Sequence, residues 1–233
     1  MVFSDLDGTF LGHQDFDAAY SLSWVRKHQP SLVFCTSKTV AEARSLAGQW
    51  QIQADWICEN GAVLLSGDQE TSLAQPVTES CLEQFPELVG LAGMSLDQQS
   101  QILGLQGDAL ARAMTREYSR LCLPDFEQDC VTRAAQLGYR LTRGGRVGHL
   151  SRPEADKGLA LRFYMTRYPD RRSVALGDAP NDIGLFQAAD IRLLINNPAS
   201  ADLMINVPVD YRTCATAPKG WVEALTLGAG LHE

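Results

Sequence analysis

Five short apolar runs, each stopping at a polar or acidic residue, constrain the fold more than any other feature of this chain. They are MVFSD at residues 1–5, SLVFCT at 31–36, DWIC at 55–58, RSVALGD at 172–178 and IRLLINN at 191–197. Runs that stay apolar on successive residues suit strands buried on both faces, the condition of a parallel sheet covered by helices. Segments with helical periodicity lie between them, at 17–28, 39–50, 157–169 and 181–189. The resulting β-α-β-α-β order predicts an α/β fold built on a doubly wound parallel sheet. A turn at Glu59-Asn60-Gly61 leads from the third strand into a further one.

The pattern changes between about residue 70 and residue 152, where Gly, Gln and polar loops separate less regular segments. Helical periodicity is partial in SLDQQSQILG (95–104), GDALARAMTREYSR (107–120) and DFEQDCVTRAAQLG (125–138), and YRLTRGGRVGHLS (139–151) reads as a hairpin. This part of the chain is expected to be an inserted, smaller domain. The expected organisation is a core in two pieces, 1–74 and 153–233, interrupted by an insertion at 75–152.

Twenty basic and 28 acidic residues give a net charge of −8. That balance argues against broad nucleic-acid binding and against attraction to an anionic membrane surface, so any anion site must be local. The six cysteines form no C-x-x-C pair and read as reduced thiols. No run approaches the roughly 20 apolar residues that span a bilayer. A soluble cytoplasmic protein is expected, as a monomer or homodimer.

Asp5 and Asp7 stand two residues apart at the end of the first apolar run, a spacing that points both side chains the same way in an extended segment. Two anions facing one small volume need a cation or a proton. An ordinary strand end rich in Asp, Gly and Thr is the plainer reading of this stretch alone. Asp178 ends the RSVALGD run and Asp182 opens the next helical segment, which puts both in the crevice beyond a strand's C-terminal end. Thr36 ends the second run, with Ser37, Lys38 and Thr39 where a helix should begin. Hydroxyls and backbone N–H groups there suit an anion, although Ser and Thr are also the commonest helix caps. Lys157, in ADKG, stands at the return to the core.

Taken together, DLDGT, CT, DK and GDAPND resemble the four signatures of the haloacid dehalogenase superfamily of phosphotransferases. The resemblance spans the expected core and implies a Rossmann-like core with Mg²⁺ as cofactor. It implies that Asp5 is the nucleophile, forming a transient aspartyl-phosphate, and that Asp7 is the general acid and base. Magnesium would be held by Asp5, the Asp7 backbone carbonyl, Asp178 and Asp182. Thr36 and Lys157 would bind the remaining phosphoryl oxygens. The insertion resembles the type IIB α/β cap of the superfamily's sugar-phosphatase branch, whose role would be specificity.

From Cys130 to Pro153 the chain holds five arginines, Arg133, Arg140, Arg143, Arg146 and Arg152, and no Asp or Glu. A guanidinium suits bidentate recognition of carboxylate or phosphate. Arg143 and Arg146, flanking Gly144-Gly145, are the foremost candidates, and His149 either touches substrate or is a satisfied structural histidine. TSKT (36–39), REYS (116–119), LTRGGRVGHL (141–150), GDAPND (177–182) and KGWVEAL (219–225) together resemble the mannosyl-3-phosphoglycerate phosphatase family. That resemblance implies a small phosphorylated sugar or glycerate substrate, contacted by Ser37, Lys38, Arg116, Arg143, Gly144, Arg146, His149 and Asn181. A broad sugar-phosphate phosphatase, a sugar phosphomutase and a non-catalytic binding protein are the alternatives.

Overall fold

The computed structural model describes residues 1–144 and 146–228. Gly145, expected in the hairpin turn, lies outside the described residues. The chain opens with β1 (Val2–Ser4), α1 (Ala19–His28), β2 (Leu32–Cys35), α2 (Val40–Trp50), β3 (Asp55–Cys58), β4 (Val63–Ser66) and β5 (Gln69–Ser72). Next come α3 (Leu96–Leu103), α4 (Gly107–Met114), β6 (Ser119–Cys122), α5 (Gln128–Gln136), β7 (Arg140–Arg143) and β8 (Gly148–Ser151). The last part holds α6 (Lys157–Met165), β9 (Val174–Gly177), α7 (Ile183–Ala188), β10 (Ile191–Asn196), α8 (Ala201–Met204), β11 (Tyr211–Thr216) and α9 (Lys219–Glu223).

Eight strands form one sheet in the order β11-β10-β9-β1-β2-β3-β4-β5. The run from β11 to β3 is parallel, and β4 and β5 extend it antiparallel. Strand β1 pairs with β2 on one side and β9 on the other, Val2 lying opposite both Leu32 and Val174. The winding reverses between β1 and β9, and their C-terminal ends bring Asp5 and Asp178 to one crevice, where open α/β sheets collect ligands.

Alternate strand residues explain the unbroken apolar runs. Phe3, Val33, Cys35, Ile57 and Ala175 pack on one face with Leu161, Tyr164, Leu185 and Phe186 of α6 and α7. Val2, Leu32, Phe34, Trp56, Val174 and Leu176 pack on the other with Leu22, Val25 and Trp221 from α1 and α9. Phe10 joins this second face, 4.8 Å from the Phe34 ring and 5.0 Å from that of Trp221.

A second, three-stranded antiparallel sheet, ordered β6-β8-β7, has a core of its own around Phe85, Phe126, Tyr139, Leu141 and Leu150. The hairpin expected at 139–151 is β7 and β8. The partial helical periodicity over 107–120 corresponds to a helix only as far as Met114, and Ser119–Cys122 is the strand β6. The cause is non-local: Ser119 to Cys122 pair with Ser151 to Gly148 across the sheet, which outweighs the local helical pattern. The first helix begins at Ala19, two residues late, because the Asp17 carboxylate accepts the Ala19 N–H at its start. Strands β5 and β11 have no counterpart among the five apolar runs, since QETS is mostly exposed and YRTCAT mixes polar with apolar residues. Among the described residues no helix is long and apolar enough to cross a membrane. Five cysteines are buried free thiols, and Cys214 is an exposed one.

Candidate active site

Asp5 follows β1 directly, and its N–H donates to the Leu176 carbonyl of β9, so sheet geometry fixes where its carboxylate stands. Its own carbonyl accepts the Ser4 hydroxyl at 2.7 Å, and the Ser4 hydroxyl accepts the Trp221 indole N–H at 2.9 Å. The segment KGWVEAL thereby supports the end of β1 from below. Asp5, Asp178 and Asp182 are all buried and offer carboxylate oxygens within 4.8 Å of one another. Lys157, at the first position of α6, donates to Asp5 Oδ1 at 2.6 Å and Asp182 Oδ1 at 2.7 Å.

Asp182 also accepts the N–H groups of Asp178 and Ala179 at its Oδ2, closing the turn that follows β9. Asp178 accepts the Thr9 hydroxyl at 2.5 Å and the Asn197 amide at 2.6 Å, while the Ser200 hydroxyl donates to its carbonyl. Gly8 lies against this carboxylate with φ +84°, and a Cβ there would sit 2.6 Å from Asp178 Oδ2. Only glycine takes that backbone without strain and leaves the approach open. Thr9, Asn197 and Ser200 were outside the residues singled out by sequence. Thr9 belongs to DLDGT, and Asn197 and Ser200 follow the apolar run of β10, so strand-end polarity was their available signal.

Three buried carboxylates share one buried ammonium, and the electrostatics reflect that surplus of negative charge. Burial pushes the Asp5 carboxyl well above the ordinary range; Lys157 opposes the rise while Asp182 and Asp178 add to it. Asp178 is pushed up to about 7, by burial first and the Asp182 charge next, against the Thr9 and Asn197 hydrogen bonds. For Lys157, burial disfavours the charge, but Asp182 and Asp5 outweigh it and raise its pKa. An all-oxygen, anion-rich cluster of this kind fits a hard divalent cation such as Mg²⁺.

Asp7 is two residues beyond Asp5, with Lys38 Nζ 2.7 Å from its Oδ2 and its Oδ1 without a hydrogen-bond partner among the described residues. Burial works against the Lys38 charge, but Asp7 and Glu42 prevail and raise its pKa. Thr36 is fully buried, and its hydroxyl oxygen accepts the Lys38 N–H at 3.1 Å. Thr39 caps α2 in a reciprocal pair with Glu42, as its helix-start position predicts. Asn181 lies in the short turn Pro180–Asp182 beside this crevice.

The candidates in the second sheet separate. His149, on β8, is 5% exposed with Nδ1 unpartnered, and burial, then the Arg116 and Lys157 charges, hold its pKa down to about 3. The Arg116 side chain is 8% exposed and donates to the Ser37 carbonyl at 2.9 Å and the Ser119 hydroxyl at 3.1 Å, so it joins the second sheet to the loop after β2. Arg143 is committed to the carbonyls of Pro124 and Phe126, with its guanidinium 4.4 Å from the Phe126 ring. Arg146 donates to the Leu103 carbonyl and lies 5.2 Å from the ring of Phe16, which itself faces Lys38 at 6.0 Å. Gly144 closes the hairpin, its N–H donating to Val147. Arg133 pairs with Glu87 and Arg152 lies over the Tyr139 ring, both within the unit of the second sheet, whereas Arg140 pairs with Asp156, the N-cap of α6.

No protein-family model matches the chain. Two curated relatives bear the name glucosyl-3-phosphoglycerate/mannosyl-3-phosphoglycerate phosphatase. The one from Persephonella marina is 27% identical over 97% of this chain and 95% of its own length. The one from Methanococcoides burtonii is 26% identical with the same coverage, 97% and 95%. A solved phosphatase of the haloalkanoate superfamily from Bacteroides thetaiotaomicron superposes with a TM-score of 0.72, covering 98% of this chain and 94% of that one. The chain is similar over nearly its whole length to these two curated phosphatases. Its identity to the Bacteroides structure is 16%, so that likeness is one of fold. The four signature segments, scattered over 178 residues from Asp5 to Asp182, meet at the ends of β1, β2 and β9 and the start of α6.

Proposed function

We propose that the chain hydrolyses the phosphomonoester of a mannosyl- or glucosyl-3-phosphoglycerate through an aspartyl-phosphate at Asp5. The observation that carries the mechanism is the buried Lys157 ammonium bonded to both Asp5 and Asp182, with Asp178 beside them. The names of the curated relatives support the substrate class.

In this reading Asp5 attacks phosphorus, and Lys157 holds its carboxylate in line while offsetting charge on the transferring group. Asp7, through the oxygen not bonded to Lys38, protonates the departing sugar-glycerate oxygen and then takes a proton from the attacking water. Thr36 and the backbone at 37–38 cradle the phosphoryl oxygens. Asp5, Asp178, Asp182 and the Asp7 carbonyl would hold Mg²⁺. That ion would let an anionic nucleophile and a phosphate dianion approach each other.

Residues 75–152 act as a cap that selects the substrate. Arg146 and His149 are its contacts of choice, because Arg116 and Arg143 are each held by two acceptors, while among the described residues Arg146 donates only to the Leu103 carbonyl and His149 Nδ1 has no partner. The test is Mg²⁺-dependent phosphate release from mannosyl-3-phosphoglycerate, glucosyl-3-phosphoglycerate and mannose 6-phosphate, with Asp5→Asn as the blank. Turnover of the two phosphoglycerates at least tenfold above the hexose phosphate is expected, a difference of about 1.4 kcal/mol. Equal turnover of all three would mean a broad sugar-phosphate phosphatase. Interconversion of sugar phosphates without phosphate release would mean a mutase.

A further inference from the structure

Glu59 is an acid that the chemistry above does not use, and its placement is unusual. It follows β3 in the left-handed region, φ +45°, and is followed by Asn60 at +60° and Gly61 at +109°. Left-handed backbone at a non-glycine residue carries a cost, which surrounding contacts must offset. Its side chain is 2% exposed and far from bulk solvent, yet three donors meet it. The Glu117 N–H reaches Oε1 at 3.1 Å, and the Tyr118 N–H and Ser119 hydroxyl reach Oε2 at 3.1 and 2.6 Å. All three belong to the segment entering β6, the crossing from α4 into the second sheet.

The same unit grips the loop after β2 from its other side. The Thr36 carbonyl accepts the Asn60 N–H, and the Lys38 carbonyl accepts the Glu59 N–H, each at 2.9 Å. The carbonyl between them, of Ser37, accepts Arg116, which also bonds Ser119. Three successive carbonyls of residues 36–38 are therefore bonded to Glu59, its neighbour Asn60 and Arg116.

We propose that Glu59 is a positioning residue that couples entry of the chain into the cap, at 117–119, to the conformation of residues 36–38, so that phosphate bound at that loop stabilises the cap's placement. The proposal rests on the reading of residues 36–38 as a phosphate-binding loop. A carboxylate suits the role because it offers acceptors to three converging donors at once. In Glu59→Gln one acceptor becomes an NH₂ group facing a donor, which removes the link with little change in volume.

The experiment is amide hydrogen exchange, with and without inorganic phosphate in the presence of Mg²⁺, on the wild type, Glu59→Gln and the milder Ser119→Ala. In the wild type, phosphate should slow exchange both at residues 36–39 and at Glu117 and Tyr118. Glu59→Gln should keep the first effect and lose the second, with Ser119→Ala intermediate. Alongside this, Glu59→Gln should lower kcat/KM for a glycosyl-phosphoglycerate about tenfold or more and leave the small ester p-nitrophenyl phosphate within about threefold. Phosphate protection at 117–118 that persists in Glu59→Gln would overturn the coupling. So would equal loss of turnover on both substrates, which marks a purely structural role. If Glu59→Gln does not fold, Ser119→Ala with undiminished protection at 117–118 is equally decisive against it. Absence of any effect at 36–39 in the wild type would reject the loop reading, and the coupling with it.

Discussion

Lys157 carries the charge balance of the crevice alone on its side, against Asp5 and Asp182 at hydrogen-bond distance and Asp178 nearby. Removing one partner from a buried ionic cluster costs about 3–5 kcal/mol, because the remaining charges cannot be solvated. Lys157→Met should therefore lower the free energy of unfolding by that order, read from urea denaturation without metal, and should abolish turnover. Millimolar Mg²⁺ should restore part of the lost stability, since a cation that binds only the folded state stabilises it by mass action. A variant as stable as the wild type would mean that the Lys157 ion pairs do not contribute to folding stability. His149 gives the pH dependence. Its pKa of about 3 lies below the ordinary 6.5, so between those values the unfolded chain binds a proton that the folded chain refuses. Stability contributed by the neutral ring is present above pH 6.5 and is lost as pH falls toward 3, by about 2 kcal/mol between pH 8 and pH 5. His149→Gln should flatten that part of the profile, measured by urea unfolding at the two pH values.

The turn after β3 shows how elements are locked together rather than merely connected. A Cβ on Gly61 would lie 2.3 Å from the Asp156 carbonyl carbon and oxygen, at the cap of α6, with φ at +109°. Gly61→Ala should cost more than about 1 kcal/mol, whereas Gly67→Ala, at φ +57° with open space around it, should cost only the backbone strain. Comparison of the two urea midpoints checks this, and equal losses would contradict it. The strands that carry the site were legible because apolar runs that stop at a polar or acidic residue are local signals: β1, β2, β3, β9 and β10 lie in the expected stretches. Strand β6 was not, because GDALARAMTREYSR holds no Gly or Pro after its start, and only pairing with β8 decides its last residues. Arg143 and Arg146 looked equivalent as flanks of one turn, yet the carbonyls of Pro124 and Phe126 hold the first. Glu59 was visible only as part of a turn, because its partners are some 60 residues away in sequence.

Across the whole molecule, the parallel sheet positions the acidic cluster, and selection of substrate is the role proposed for the second sheet. Strand order reverses between β1 and β9, so Asp5 and Asp178 face each other although 173 residues separate them. Strand ends hold the carboxylates, and Arg116 joins the loop after β2 to the second sheet. Catalysis by two successive in-line displacements, the first by Asp5 and the second by water, has a consequence at phosphorus that no single displacement shares. Each displacement inverts the phosphorus centre, so two give net retention. Hydrolysis of a phosphorothioate analogue, its phosphorus made chiral by sulfur and two oxygen isotopes, in water carrying the third isotope, yields a chiral thiophosphate that reads the outcome directly. Retention is the predicted result. Inversion would mean that water attacks the substrate in one step, and Asp5 would not be the nucleophile.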